Sequence, residues 1–419
     1  MKWAYFLFIR LYPLLAKLLA PFNSKAALWV KGRKGLIQQI KKAMQLNEQP
    51  IIWMHAASLG EFEQGLPVVE SIKKQYPHHR LVVTFFSPSG YEIRKNHPIA
   101  DWVFYLPMDS PSNAAEFIAI VKPSIALFIK YEFWYFYLTE LKKQQIPTLL
   151  ISGIFRPDQL FFKWYGGFYR KMLLNITHFF LQDKGSASLI KDLVLPNSIS
   201  ISGDTRFDRV LSIAAARKQF PTVEQFCKDH SIIVAGSTWS DDDKVLQHFT
   251  RVHRNAKFII APHQISPERL AECLQRYPYA VLLSEYESLA VHQKANFQTL
   301  IVDNMGMLSS LYYYATIAFI GGGFTSEGIH NTLEAAVFGK PVVFGPVYDK
   351  YLEAVEMVEI GAAFSAETAL EMENLLDELL NDHAKRTASG QAGADYVANN
   401  AGASNKILEF IQANLLLTN

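Results

Sequence analysis

The stretch GGGFTSEGIHNTLEAAVFGKPVVFGP runs from Gly321 to Pro346. An apolar run, IAFIGG (317–322), leads into it, and PVVFG (341–345) closes it. Between them lie three glycines and a polar segment with His330, Asn331 and Glu334. Short apolar runs bounded by turn residues suit strands buried on both faces of a parallel sheet, with helices as crossovers. GIHNTLEAAVFG then reads as a helix between two strands. Glycines allow backbone N–H groups to approach a ligand, and a helix N-terminus favours an anion. A phosphate on the amides of Gly321, Gly322, Gly323 and Gly328, with a ribose on Glu334, is one reading. A tight strand–helix turn with solvated side chains is the other.

The alternation extends outward from this stretch. Before it come IIVAGS (232–237), KFIIAP (257–262), AVLLS (280–284) and TLIVD (299–303). An earlier series runs IIWMHA (51–56), LVVTFF (81–86), WVFYL (102–106), IALFI (125–129), TLLIS (148–152), HFFLQ (178–182) and SISIS (198–202). The two series predict two doubly wound α/β domains, which bind ligands at the carboxyl ends of their strands. At 419 residues, two domains are the default. The interval 205–230 is polar and is read as the linker.

Charge is uneven. No Asp or Glu precedes Glu48, whereas residues 1–47 carry nine Lys and Arg; the rest of the chain nets −7. Such asymmetry calls for a local anionic partner. WAYFLFIRLYPLLAKLLAPF (3–22) is rich in Leu and aromatics, unlike a nucleic-acid arm. Arg10 and Lys17 interrupt it as a membrane span, each at about 2.5–3.5 kcal/mol near the bilayer centre. They lie seven apart, on one stripe of a helix. The segment therefore reads as a basic amphipathic helix lying on an anionic membrane surface. A true span and a helix packed on the protein are the alternatives. Cys227 and Cys273 offer neither a disulfide framework nor metal spacing, and CxxC pairs and HExxH are absent.

Carboxylates at strand ends are the candidate chemistry. HAASLGEFEQGLPVVESI (55–72) is a strand–loop–helix joint, with Ser58 and Glu61 spaced as a capping box. Glu61 is then either a cap or a general base toward an acceptor hydroxyl. In KYEFWYF (130–136), Glu132 lies beside aromatics that would desolvate it. Ser237 and Thr238 in AGSTWSDDD either bind phosphate oxygens or cap a helix, and His263 ends a strand.

Taken together, HAASLGEFEQGLPVVESI, YEFW, SGDTRFD, AGSTW, Pro267-Glu268-Arg269, DNMGMLSSLYYYATIAFIGGG and GIHNTLEAAVFGKPVVFGP resemble the 3-deoxy-D-manno-octulosonic acid (Kdo) transferases of lipopolysaccharide synthesis, in the same order along the chain. The resemblance implies a GT-B fold: two facing Rossmann-like domains, with a C-terminal helix returning to the first. Expected boundaries are 1–35 for a membrane-associating segment, 36–204 for an acceptor domain, 231–395 for a donor domain and 396–419 for the returning helix. It implies transfer of Kdo from CMP-Kdo to a lipid A precursor, with inversion and without a metal ion or other cofactor. The site would be the cytoplasmic face of the inner membrane, with no nucleic-acid partner. Glu61 corresponds to the family's catalytic base and Glu132 to a second functional carboxylate. His330, Asn331 and Glu334 correspond to nucleotide-binding residues, with Ser237, Thr238 and His263 also on the donor. Ser58, Gly60, Lys31, Arg33 and Lys34 are expected at the acceptor. The chain departs from many relatives at Lys130, where they have Glu, at Tyr135, and at His263, where they have Arg. Arg156 is displaced by two positions, and Arg206 lies just before the linker. Alternatives are another GT-B enzyme using a UDP-sugar and a lipid acceptor, a sugar-nucleotide epimerase of the same fold, and a nucleotide-binding membrane scaffold without activity.

Overall fold

The computed structural model describes residues 2–418 and divides them into two compact units. The first comprises residues up to Arg209 together with the segment from Ala401, and the second is Val210–Asn400. The division falls within a helix, Thr205–Ala215. The interval read as a linker carries this helix and a second one, Pro221–Cys227.

In the first unit the strands are β1 (Ile51–Ala56), β2 (Arg80–Phe85), β3 (Trp102–Tyr105), β4 (Pro123–Ile129), β5 (Thr148–Gly153), β6 (His178–Leu181) and β7 (Ile199–Ile201). They form one sheet in the order β3-β2-β1-β4-β5-β6-β7, every pairing parallel. All six residues of β1 are buried, which is why the run is continuously apolar rather than alternating. One sheet face packs under Trp53, Phe117, Phe128 and Phe179. The other is covered by Phe62, Leu66 and Val69 and by Ile407 and Ile411 of the C-terminal helix, Ala403–Ala413. Asp208 holds that helix by its first turn. Its carboxylate accepts from Gly402 N (2.6 Å), Ser404 N (2.8 Å) and Ser404 Oγ (2.9 Å).

Four helices bear on the site. They are α1 (Lys2–Leu19), α2 (Ser24–Gly32), α3 (Leu36–Met44) and α4 (Leu59–Gln75). α1 lies on the first unit through Tyr5, Ile9 and Ala16. The Tyr5 hydroxyl donates to the buried carboxylate of Asp109, which also accepts from Phe136 N and Tyr137 N. Burial lifts Asp109 to about 6. The opposite face of α1 is exposed and apolar: Trp3, Leu7, Leu11, Leu14 and Leu18 form a continuous stripe. Among the described residues, no helix is long and apolar enough to cross a membrane.

The second unit repeats the plan. Its strands are β8 (Ser231–Thr238), β9 (Ala256–Pro262), β10 (Ala280–Leu282), β11 (Thr299–Ile301), β12 (Ile317–Ile320), β13 (Val342–Phe344) and β14 (Ala363–Ser365). The order is β10-β11-β9-β8-β12-β13-β14, again all parallel. In each unit the chain reverses its direction of travel across the sheet once. That switch lies between β1 and β4 in the first unit and between β8 and β12 in the second.

Candidate active site

The switch point of an open parallel sheet leaves a crevice beyond its strand ends. In the first unit it receives Glu61, from the helix after β1, and Glu132, from the loop after β4. The two carboxylates are close enough to interact: the charge of Glu132 helps raise the proton affinity of Glu61. Burial is the larger cause, and together they push Glu61 up to about 7, against hydrogen bonds from Ala57 N and Ser58 N and the charge of Lys130. Ser58 is the N-cap residue of α4, but its side chain makes no capping bond. Only the carboxylate half of the expected box forms, with Glu61 reaching back to the backbone of Ala57 and Ser58. Glu61 therefore caps the helix and also sits as a base near neutrality. Gly60 is in the first turn, with open space where a Cβ would stand.

Glu132 is held by two rings. Trp134 Nε1 donates to its Oε2 at 2.7 Å, and His55 Nε2 lies 3.2 Å from the same oxygen. His55 is fully buried at the end of β1. With its proton on Nε2, a chain of donors runs from Trp53 Nε1 to Thr84 Oγ1 (2.9 Å), from that hydroxyl to His55 Nδ1 (2.9 Å), and from His55 to Glu132. With the proton on Nδ1, the ring donates to the Thr84 carbonyl (3.1 Å) and accepts from Trp134 Nε1 (3.0 Å). Each tautomer is hydrogen-bonded at both nitrogens. The sequence reading missed His55 and Trp134 as partners of Glu132, and Thr84 as the partner of His55. The available signal was a lone histidine in a buried strand, which needs hydrogen-bond partners.

Cations surround this crevice. Lys130 stands at the end of β4 with φ 62°, a left-handed conformation that costs a non-glycine residue energy and recurs at functional sites. Arg156 and Arg206 both act on the neighbouring phenol of Tyr131, where their charge opposes the upward push of burial. Arg206 is also paired with Asp204 at 2.7 Å. Lys31 and Lys34 are exposed near the end of α2. Arg33 differs from the surface residue expected. Its guanidinium donates to the carbonyls of Phe86 (2.9 Å), Leu106 (3.0 Å) and Trp29 (3.4 Å), and it lies over the rings of Trp29, Tyr105 and Phe86. Burial lowers its pKa to about 9. Each of its three nitrogens donates to a backbone carbonyl, which gives Arg33 a structural role that the sequence reading did not foresee.

The second unit's switch point receives the loops after β8 and β12. Ser237 has φ 56°, and Thr238 is buried with its hydroxyl unpartnered. Three rings stack there: Trp239 on His263 (4.6 Å between centroids) and His263 on His330 (4.5 Å). Trp239 Nε1 donates to His330 Nε2 at 3.3 Å. Burial, with His263 beside it, lowers His330 to about 4, so the ring is neutral. Trp239 was not singled out from the sequence; it follows Ser237 and Thr238 at the same strand end. Asn331 donates to Glu334 at 3.2 Å.

The glycines serve packing more than expected. Gly321 N donates to Gly236 O (2.8 Å) and Gly322 N to Asp242 Oδ2 (2.8 Å), so neither amide is presented to a ligand. A Cβ on Gly321 would strike the carbonyl of Ser237, and Gly322 has φ 92°. The helix read over 328–339 is a single turn, Leu333–Ala336, with His330 and Asn331 in the loop before it. Among the described residues, no group of three or more His, Cys, Asp or Glu is arranged to hold a metal ion.

Residues 30–209 match the family described as 3-deoxy-D-manno-octulosonic-acid transferase (kdotransferase). The 3-deoxy-D-manno-octulosonic acid transferase of Haemophilus influenzae is 28% identical over 376 residues, covering 86% of each chain. That of Aquifex aeolicus is 26% identical over 337 residues, covering 79% of this chain and 86% of the relative. Two solved structures share the architecture. UDP-GlcNAc 2-epimerase from Neisseria meningitidis has a TM-score of 0.60 at 16% identity, covering 87% of this chain and all of that one. A glycosyltransferase from Rickettsia africae has a TM-score of 0.55 at 15% identity, covering 88% and 99%. The matched family domain and the curated relatives indicate a glycosyltransferase, built on two parallel-sheet α/β units that resemble the GT-B type. Residues 30–209 thus carry the domain of the Kdo transferase family, and curated Kdo transferases resemble the chain at 25–28% identity over most of its length.

Proposed function

We propose that this enzyme transfers Kdo from CMP-Kdo to a lipid A precursor with inversion, and that Glu61 is the general base. The observation carrying this reading is the Glu61 carboxylate at the β1–β4 switch point, raised to about 7. A base with a pKa near the working pH combines a useful ionised fraction with enough basicity to take a hydroxyl proton. Glu61 accepts that proton as the acceptor oxygen bonds to the anomeric carbon, and the bond from that carbon to the CMP phosphate oxygen breaks. Glu132, fixed by His55 and Trp134, adds negative charge that keeps Glu61 basic. In the second unit, Ser237 and the 328–331 loop take the phosphate, and Asn331 and Glu334 take the ribose. The Trp239–His263–His330 stack offers an uncharged aromatic surface to the base. Because the Gly321 and Gly322 amides are occupied, phosphate recognition rests on that hydroxyl and loop. The reaction assigns no role to a metal ion, so transfer should persist in a chelator.

The enzyme acts at the cytoplasmic face of the inner membrane. The apolar outer stripe of α1 enters the interface, and Arg10 and Lys17 meet anionic headgroups. Vesicle flotation should be lost when residues 1–35 are removed. For the reaction, detergent-solubilised protein is incubated with a lipid A precursor and CMP-Kdo generated in place. The lipid mass should rise by one or more Kdo units. No gain with CMP-Kdo, together with a gain from a UDP-sugar, would overturn the donor.

A further inference from the structure

A cavity of about 650 Å³ lies between α1, α2, α3 and the segment after β3. Its size is within the roughly 300–1,000 Å³ of ligand sites. Pro13, Trp29, Leu36, Ile37, Pro107 and Met108 give it apolar walls. Four lining residues are cationic, Lys17, Lys31, Arg33 and Lys34, and none is acidic. No carboxylate precedes Glu48 in the chain, so nothing nearby in sequence neutralises them. Trp29 is 5% exposed, and its indole N–H has no hydrogen-bond partner. A buried apolar wall, an orphaned donor and exposed lysines together describe a site for an anionic amphiphile.

The cavity is joined to the acidic crevice through one aromatic layer. Arg33 lies over Phe86 (5.0 Å), Phe86 packs on Trp134 (4.8 Å), and Trp134 donates to Glu132 (2.7 Å). An occupant of the cavity is thus separated from Glu132 by two packed rings, Phe86 and Trp134, a placement that suits a reactant more than a bulk lipid. We infer that this cavity holds one acyl chain of the phosphorylated acceptor lipid, with Lys31 and Lys34 on its phosphate. The inference rests on the lipid acceptor of the proposed function and adds how the chain selects it.

Calorimetry on the full-length protein in non-ionic detergent tests it with three probes: a tetra-acylated, phosphorylated glucosamine disaccharide, the same disaccharide deacylated, and phosphatidylglycerol. Ile37→Trp and Met108→Trp fill the cavity from different wall segments, so one can serve if the other fails to fold. Each should weaken binding of the acylated disaccharide at least tenfold and change the deacylated one less than twofold. Lys31→Ala with Lys34→Ala should weaken both disaccharides. Acylated binding within twofold of wild type in a folded Trp variant would overturn the assignment. So would displacement of the acylated disaccharide by an equal concentration of phosphatidylglycerol. A wild-type protein that binds the acylated disaccharide tenfold tighter than the Trp variants, yet transfers no Kdo, would support the cavity and overturn the reaction instead.

Discussion

Both units are seven-stranded parallel sheets with a central switch point, and they fill it with opposite chemistry. In the first, β1 and β4 end in carboxylates, one of them lifted to about 7 by burial and by its neighbour. In the second, β8 and β12 end in a serine, three glycines and a neutral stack of rings. Buried charge in the second unit lies elsewhere. Asp243 is fully buried and satisfied by Arg269 and by Tyr277 Oη (2.8 Å). Asp242 caps the Trp239 and Gly322 amides. Burial lifts Glu61 to about 7 and Asp242 to about 6, whereas Asp243 is paired with Arg269 and braces the fold. The contrast teaches that the joint alone decides no function; the solvation of its carboxylates does.

Removing the carboxylate from the first joint should have the largest effect. Glu61→Gln should slow transfer by about 10²–10⁴ while leaving CMP affinity, measured by calorimetry, unchanged. Full turnover in this variant would erase the distinction between the units. Next comes the paired charge of the second unit. Arg269→Met leaves Asp243 buried without its cation and should cost about 3–5 kcal/mol in urea unfolding. A loss under about 1 kcal/mol would mean that the pair is no brace. Smaller again is the binding contrast: Glu334→Ala should weaken CMP about tenfold, or ~1.4 kcal/mol, with kcat changed little. An unchanged Kd removes Glu334 from the nucleotide. The smallest effect is expected at the anchor of α1, where Tyr5→Phe deletes the hydrogen bond to Asp109 and the one accepted from Tyr135 N, and should cost about 1 kcal/mol by thermal melting. No measurable shift would mean that apolar contacts alone hold α1 down.

Most of the sheet architecture was legible because parallel strands buried on both faces need unbroken apolar runs. Thirteen such runs fall on strands. Ala363–Ser365 escaped because this edge strand has three residues, of which only Ala363 is buried. The helix after the glycines was read too long: Thr332 enters helical geometry only after Asn331 has turned back to accept from Leu333 N. The strand-end motifs singled out Glu61 and Glu132, but nothing local reveals that they share a crevice. That follows from β1 pairing with β4 across some seventy residues of sequence. Arg33 was misread for the same kind of reason. A basic run looks solvated, yet the aromatic faces that bury this guanidinium come from Trp29, Phe86 and Tyr105, two of them distant in the chain.

In the proposed reaction Glu61, held near neutrality, is the base. Its raised pKa means that the folded protein binds an extra proton between the ordinary carboxylate range and about 7, so the ionised base is lost as pH falls through 7. The direct measurement is the pH dependence of kcat/KM for Kdo transfer from pH 5 to 9, in wild type and in Glu61→Gln. The prediction is a wild-type rate falling about tenfold per pH unit below 7, and a residual variant rate without that limb. A wild-type profile flat from pH 5 to 8, or the same limb persisting in Glu61→Gln, would contradict the account.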